Sequence, residues 1–247
     1  MPRYFIELLY KGTNYSGFQI QQNANSIQAE VEKALKVFFK ENFSLTGSSR
    51  TDAGVHALSN YFHFDTVLFE DKATNYLDKA AYHLNAILPD DIVVKRLYKV
   101  KDDAHCRFDA TSREYKYYIY KHKTPFLADR AFFFPYQLDI DKLNEAARAL
   151  LTYKDFTSFS KKNTQVKNFQ CNLLKSEWLI ENDMLVYNVI GNRFLRGMVR
   201  GLTGTMLKMG TGKISINEFC KIVEDKNCSK ADFSVPPQGL FLINVTY

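Results

Sequence analysis

The 247-residue sequence predicts an α+β fold of two similar lobes, with mostly antiparallel sheets that meet at a central cleft and helices on the outside. The first half shows period-2 and period-3.6 hydrophobic patterns in the order strand, helix, strand, strand, helix, strand. That order is typical of the split βαβ unit of ferredoxin-like or RRM-like folds. The second half follows the same plan more loosely. No Pro/Gly-rich linker divides the halves, and we predict lobes over residues 1–103 and 104–247.

Each element of the first half follows from its own pattern. Ser26 is a preferred N-cap residue, and the apolar residues after it recur at helical spacing as far as Phe39. A second helix is predicted over residues 73–87, ahead of Pro89, which disfavours helix at the residue before it. Alternating apolar and polar residues predict strands at residues 3–10, just before Gly47, at 58–64 and at 92–100.

The second half is predicted to contain a β-hairpin across the turn-forming run Glu181-Asn182-Asp183. Asp139 or Asp141 is expected near the N-terminus of a helix over residues 140–151. Periodicity predicts the remaining elements as strands at 113–121 and 240–245 and helices at 194–209 and 216–223. The polar residues at 159–170 predict a mobile loop.

The composition narrows the function classes. Lys and Arg number 33 against 27 Asp and Glu, and this net charge of +6 weakly favours a polyanionic partner such as nucleic acid. The 20 Phe and 15 Tyr are many for a chain of this size; many must lie in a core, and some could stack on bases. The four cysteines include no CxxC pair and no His at a spacing that suggests a zinc site, which predicts reduced thiols in a cytoplasmic protein and no metal site. The sequence shows no signal peptide, and its apolar runs are too short to cross a membrane.

The segment that carries chemistry is the polar loop at residues 47–57. Arg50 and Asp52 stand two residues apart, so in an extended chain both side chains point to the same side. A guanidinium beside a carboxylate keeps it ionised and oriented, as a nucleophile or base requires. On spacing alone, a loop ion pair without a catalytic role is the better interpretation, because structural pairs are common.

The run from Arg50 to Ala57 resembles, in eight consecutive residues, the signature of the tRNA pseudouridine synthase A family. Phe18 stands where that family often has Trp, and Arg196-Gly197 and the loop at 160–170 also depart from its pattern. Further similar positions extend over almost the whole chain: Tyr10-Lys11-Gly12, Tyr15, Gly17-Phe18-Gln19, Gln21, Asn85, Leu88-Pro89, Asp91-Ile92, His105, Arg107-Phe108-Asp109-Ala110, Arg113, Tyr115, Tyr117, Asp155-Phe156-Thr157-Ser158-Phe159, Phe194-Leu195, Met198-Val199-Arg200 and Gly239-Leu240-Phe241-Leu242.

The resemblance implies roles for individual residues. Asp52 would be the catalytic carboxylate and nucleophile, and Arg50 would hold it and fill the gap left by the displaced nucleotide. Tyr115 would pack against the target base and relay a proton, while Leu240 would line the base pocket. Asp52 could attack the ribose C1′, attack C6 of the base, or remove a ribose proton. The first-loop residues that match, Gln19 and Gln21, would contact the substrate.

The resemblance also implies the reaction and its partners. Uridines at positions 38, 39 and 40 of the tRNA anticodon stem-loop would be isomerised to pseudouridine by a homodimer in which one tRNA contacts both chains. The isomerisation needs neither redox change nor energy input, so no cofactor is implied. The predicted helix at 194–209 brings Arg193, Arg196 and Arg200 together, where they would contact tRNA phosphates or form a solvated basic face. Gly197, Gly201 and Gly204 beside them would admit another backbone or RNA.

Two other function classes remain open from the sequence. A non-catalytic tRNA-binding or RNA-folding protein would keep the basic surface without needing Asp52. A glycoside-cleaving hydrolase would need a second acid across the scissile bond, and the motif offers no partner for Asp52. Free uracil or an abasic site among the products would identify the hydrolase. His56 is expected to make a structural hydrogen bond, and the other histidines show no ligand spacing.

Overall fold

The computed structural model of the protein describes residues 1–70, 72–73, 75–162 and 166–247. It divides into two compact units: Met1–Thr111 together with Leu242–Tyr247, and Ser112–Phe241. The predicted α+β class with mostly antiparallel sheets is confirmed. Within the described residues, no helix has the length and apolar character needed to cross a membrane.

The first unit is built around one antiparallel sheet. Its elements are β1 (Arg3–Tyr10), α1 (Ile27–Phe39), β2 (Thr46–Gly47), β3 (His56–Asp65), α2 (Tyr76–Ile87) and β4 (Ile92–Val100). The strands lie in the order β4-β1-β3, and β2 pairs with β3. This is the chain order that the sequence predicts for a split βαβ unit. The short strand β2 positions the polar loop that follows it.

The helices of the first unit begin where their capping residues allow. The Ser26 hydroxyl accepts a hydrogen bond from the Ala29 N–H at 3.3 Å, so α1 begins as predicted. Ile27, Val31 and Leu35 bury one face of α1 against the unit. The second helix begins later than the predicted residue 73, because Asn75 is its N-cap; residue 74 lies outside the described part of the chain.

The second unit repeats the same plan. Its elements are β5 (Ser112–Tyr120), β6 (Phe132–Phe133), α3 (Ile140–Leu150), β7 (Leu173–Glu181), β8 (Met184–Gly191), α4 (Met198–Gly210), α5 (Ile216–Glu224) and the start of β9 (Leu240–Thr246). The strands β5, β8 and β7 are neighbours in that order and antiparallel. The predicted hairpin is confirmed: Asn182 and Asp183 form its two-residue turn, and both have positive φ. Asp139 caps α3.

The prediction of a helix from residue 194 is wrong at its start. Gly197 has φ +75° and is the N-cap of α4, which begins at Met198. This left-handed residue interrupts the helical path. The helix is preceded by a turn in which the Met198 N–H donates to the Leu195 carbonyl at 3.0 Å, and periodicity alone does not reveal it. Leu202 and Met206, two apolar residues of α4, are fully buried.

Residues 104–111 belong to the first unit, although the predicted lobe boundary places them in the second lobe. The Arg3 guanidinium donates to the Ala104 carbonyl at 2.9 Å, and the Thr111 N–H donates to the Thr246 carbonyl at 2.8 Å. The Tyr247 hydroxyl donates to the Cys106 carbonyl at 2.8 Å. Residues 242–247 therefore complete a unit that begins at the other end of the chain.

Candidate active site

Side chains of β1 and β3 hold the loop between β2 and β3 through hydrogen bonds. The Asn60 amide donates to the Ser49 carbonyl at 2.8 Å and to the Tyr10 hydroxyl at 3.1 Å. That hydroxyl also shares a 2.8 Å hydrogen bond with the Thr51 hydroxyl, and Thr51 is buried. Because side chains alternate in an extended segment, a buried Thr51 turns its neighbours Arg50 and Asp52 away from the interior.

A tight turn fixes the backbone of Asp52. The Val55 N–H donates to the Asp52 carbonyl at 3.2 Å, and Gly54 has φ +77° inside this turn, a conformation that favours glycine. The Asp52 side chain is half-buried. It is thus neither enclosed in the core nor fully surrounded by water, as a carboxylate that must meet a substrate requires.

The loop that follows β1 packs directly on this turn. The Phe18 N–H donates to the Thr51 carbonyl at 3.1 Å, and the Gly12 N–H donates to His56 Nδ1 at 3.1 Å. A Cβ atom on Gly12 would lie 2.0 Å from the Val55 carbonyl oxygen, so only glycine permits this approach. The predicted structural hydrogen bond of His56 is confirmed.

Asp91 fastens the same loop from the other side. Its carboxylate accepts from the Tyr15 hydroxyl at 2.5 Å and from the Asn14 amide at 3.0 Å, and its carbonyl accepts from the Lys11 N–H at 2.8 Å. Burial and the hydrogen bond to Asp91 raise the pKa of Tyr15 far above its ordinary value. Hydrogen bonds thus join three segments with family-like residues: the loop around Asp52, the loop after β1 and the segment of Asp91.

Arg50 lines a cavity of about 210 Å³ in the first unit, together with Gln19. Arg50 is exposed, and with the residues that the structure describes its guanidinium forms no ion pair. Gln21 lies nearby in the chain, where its amide donates to the Ser16 carbonyl at 3.0 Å. Phe18 stacks on Phe62 with ring centroids 4.4 Å apart and is buried. The Phe that stands in place of the family's Trp is thus a core residue.

In the second unit, Tyr115 lies on β5 and is 8% exposed. Its ring packs edge-on against Phe194, with centroids 5.1 Å apart. Leu240 is buried at the start of β9, directly after the turn Pro237–Gly239. The Tyr117 hydroxyl donates to the Pro236 carbonyl at 2.6 Å and holds this turn to the sheet. Phe194 is a contact of the candidate site that its predicted helical position had concealed.

The three arginines of the predicted helix face have different surroundings. Arg193 and Arg196 precede α4, and only Arg200 lies on it. The Arg200 guanidinium donates to the Val235 carbonyl at 2.9 Å, so it holds the segment that follows α5. A Cβ on Gly204 would lie 2.3 Å from the Asp232 carbonyl oxygen. The close approach predicted at the glycines is therefore made, at Gly204, by the chain's own backbone.

Three potential metal ligands meet beside the first sheet, although the sequence spacing did not indicate them. The ligand atoms of His63, His105 and Cys106 lie within 4.8 Å of one another. The Cys106 N–H donates to His63 Nδ1 at 3.3 Å, and the Cys106 thiol donates to the Thr46 carbonyl at 3.1 Å. His105 Nδ1 accepts the N–H groups of Arg107 and Phe108. These hydrogen bonds occupy the Nδ1 atoms of both histidines and the Cys106 thiol.

Burial of His63 predicts a pH-dependent stability. Burial and then the Arg3 charge lower its pKa to about 4, from an ordinary value of 6.5. Between these pH values the unfolded chain binds a proton that the folded chain does not, so stability falls as the pH falls from 6.5 to 4. The loss should be about 2 to 3 kcal/mol in the free energy of unfolding. Urea titrations at several pH values measure it.

The variant His63→Gln should lose this pH-dependent part of the stability, whereas His83→Gln, at an exposed position, should keep it. If the free energy of unfolding changed with pH equally in the wild type and in His63→Gln, His63 would bind its proton equally in the folded and unfolded states.

Comparison with known proteins gives a consistent result over the full chain. The family profile described as tRNA pseudouridine synthase matches residues 8–109 and 146–247. A protein of Bacteroides fragilis named tRNA pseudouridine synthase A is 47% identical over 100% of this chain and 97% of its own length. Proteins with the same name from Bacteroides thetaiotaomicron and Staphylococcus aureus are 45% and 39% identical, over 100% and 97% of this chain and 91% and 89% of their own lengths.

Proposed function

The chain belongs to the tRNA pseudouridine synthase family, and on that premise we propose that it isomerises uridine to pseudouridine in tRNA with Asp52 as its catalytic carboxylate. One observation carries the proposal. The aspartate of the eight-residue signature is half-buried on a backbone turn that the loop after β1 holds in place, and that loop is itself hydrogen-bonded to Asp91. A carboxylate fixed in this way meets its substrate without first having to be ordered.

The isomerisation breaks the bond between N1 of uracil and the ribose, rotates the base, and joins it again through C5. In the proposed mechanism Asp52 acts on the ribose C1′, on C6 of the base, or on a ribose proton. C5 must finally lose a proton to a nearby base. The uridine must first leave its stack, at a cost of a few kcal/mol. In our proposal Arg50 fills the vacated space, Tyr115 packs on the extruded base, and Leu240 lines its pocket.

The finer parts of the proposal concern the substrate and the assembly. The uridines at positions 38, 39 and 40 are the proposed targets, in a homodimer in which each tRNA contacts both chains. The lobe at 1–103 would carry the catalytic loop, and the lobe at 104–247 would complete the site and the dimer interface. Arg193, Arg196 and Arg200 would contact the RNA. The proposed location is the cytoplasm, where tRNA is modified.

Mapping the product on unmodified tRNA tests the proposal. The purified protein is incubated with the tRNA, and pseudouridine is located by carbodiimide-dependent stops of reverse transcription. Stops at positions 38 to 40 are expected. Stops elsewhere would overturn the proposed positions, and an absence of stops would remove the enzymatic function. Release of uracil would instead support the hydrolase.

Tyr115→Phe separates packing from proton transfer. The variant keeps the ring that contacts Phe194 but loses the hydroxyl, so turnover should fall by about 100-fold while tRNA affinity is retained. Single-turnover rates and filter binding measure the two effects. Tyr118→Phe, on the same strand, is the control and should keep normal turnover. Wild-type rates in Tyr115→Phe would restrict Tyr115 to a packing role.

A further inference from the structure

We infer that the cavity beside Arg50 binds a nucleotide that neighbours the target uridine and stacks its base on Phe108, an inference that rests on the proposed function. The cavity lies within the first unit and has a volume of about 210 Å³. On the same measure one water needs roughly 10 to 15 Å³, so the cavity admits a group much larger than a water molecule. Neither Phe108 nor the cavity is required by the chemistry proposed for Asp52.

Phe108 is a prominent exposed aromatic side chain. It is 73% exposed, although a phenylalanine gains free energy by burial. Its ring packs on His105 with centroids 4.2 Å apart, and the Arg107 guanidinium lies 5.7 Å from the ring centroid. An aromatic ring with such exposure is a sequence-tolerant stacking surface for an unpaired base.

The segment that carries Phe108 is rigid. The Asp109 carboxylate accepts from the His105 N–H at 2.7 Å, and the Asp109 N–H donates to the His105 carbonyl at 3.0 Å. His105 Nδ1 accepts from the N–H groups of Arg107 and Phe108 at 3.1 and 3.3 Å. The His105 ring also packs against buried His63 at 4.6 Å. A platform ordered in advance loses little conformational entropy when a base binds.

The charges around the cavity select an anionic ligand. Arg50 and Arg107 both line it, and none of its described lining residues is acidic. Guanidinium groups bind phosphate through parallel hydrogen bonds. The exposed amide of Gln19 adds a donor and an acceptor for a base edge. Aromatic stacking, cations and an amide together fit a nucleotide better than they fit an apolar peptide.

The position of Arg50 links this cavity to the catalytic loop. Arg50 is two residues from Asp52, so a nucleotide held against Arg50 is a close neighbour of the nucleotide that meets Asp52. Such a contact would help to keep the RNA strand open after the uridine has been extruded. It would also set the register of the strand, and so influence which of several adjacent uridines reacts.

Binding of an anticodon stem-loop RNA to the Asp52→Asn protein tests the inference without turnover. Adding Phe108→Leu should weaken binding by about 10-fold in fluorescence anisotropy, because Leu cannot stack. Phe108→Tyr should bind like the parent. Phe126→Leu is the matched control, since Phe126 is 81% exposed and does not line the cavity.

Abasic substitution identifies the nucleotide. RNAs that lack one base at each position flanking the target are compared in the same assay, and Phe108→Leu should have no effect on one of them. An equal loss on every RNA, no loss on any, or a change in oligomeric state caused by Phe108→Leu would overturn the inference. Pseudouridine formation by the wild type on the intact RNA is measured separately. If the wild type formed no pseudouridine, the proposed reaction would be wrong, whereas the binding result for Phe108 would still hold.

Discussion

Replacing Asp52 with Asn is expected to abolish pseudouridine formation while tRNA binding remains. The amide has the size of the carboxylate but lacks its charge and nucleophilicity, so turnover should fall by roughly 10⁴-fold or more. Single-turnover assays with tRNA labelled at C5 of uracil report the loss, because C5 exchanges its hydrogen when the base is rejoined. Filter binding gives the affinity of the same protein.

The structure offers a control of similar chemistry for this variant. Asp103→Asn changes an exposed carboxylate of the same unit that lies outside the loop of Asp52. It should leave the rate of the bond-breaking step close to that of the wild type. If Asp52→Asn kept normal turnover, Asp52 would have no catalytic role, and the reaction would depend on another group. The non-catalytic alternative predicts binding without turnover already in the wild type. Wild-type turnover together with its loss in Asp52→Asn therefore distinguishes the two functions.

Gly12→Ala is expected to have the second largest effect, on both stability and activity. The added Cβ would lie 2.0 Å from the Val55 carbonyl oxygen, so the backbone that carries Asp52 must move. Overpacking of this kind costs about 2 kcal/mol or more in the free energy of unfolding. A displacement of about 1 Å at the carboxylate would lower turnover by roughly 100-fold. Denaturant unfolding and single-turnover rates measure the two effects.

Gly212→Ala distinguishes this clash from ordinary backbone strain. Gly212 has φ +74°, and no atom lies within 4 Å of the position of an added Cβ. The substitution should cost about 1 kcal/mol of stability and leave turnover unchanged. If Gly12→Ala behaved like Gly212→Ala, the two loops would be able to separate, and their close contact would not be needed to position Asp52.

Much of the fold could be predicted, because local signals and tertiary packing agree there. Ser26, Asp139 and the pair Asn182-Asp183 act through their own side chains and backbone angles, and all three are found at the element ends that they predict. The predicted start of α4 is wrong because the apolar spacing continues through Gly197. The left-handed φ of Gly197, which periodicity does not show, interrupts the helix there.

The site was predictable where one short segment carries it and less so where distant segments meet. The signature loop around Asp52 could be found in the sequence, but its support by Gly12 and Asp91 depends on the sheet. The sequence also does not show that one carboxylate of the first strand is buried. Glu7 occupies a polar position of an alternating strand, yet it is 2% exposed, with ion pairs to Lys95 at 3.1 Å and to Arg96. Sequence alternation cannot show that these cross-strand cations cover it.

The return of the last strand to the first unit affects how the protein is made. Thr111 and Thr246 are hydrogen-bonded although 135 positions separate them in the chain. The ribosome releases β1 to β4 long before residues 242–247 are translated. Until then the edge of β3 lacks its neighbouring strand, β9. Contacts of such long range also slow folding. The loop that carries Asp52 is therefore expected to reach its final order late, after the second unit has been synthesised.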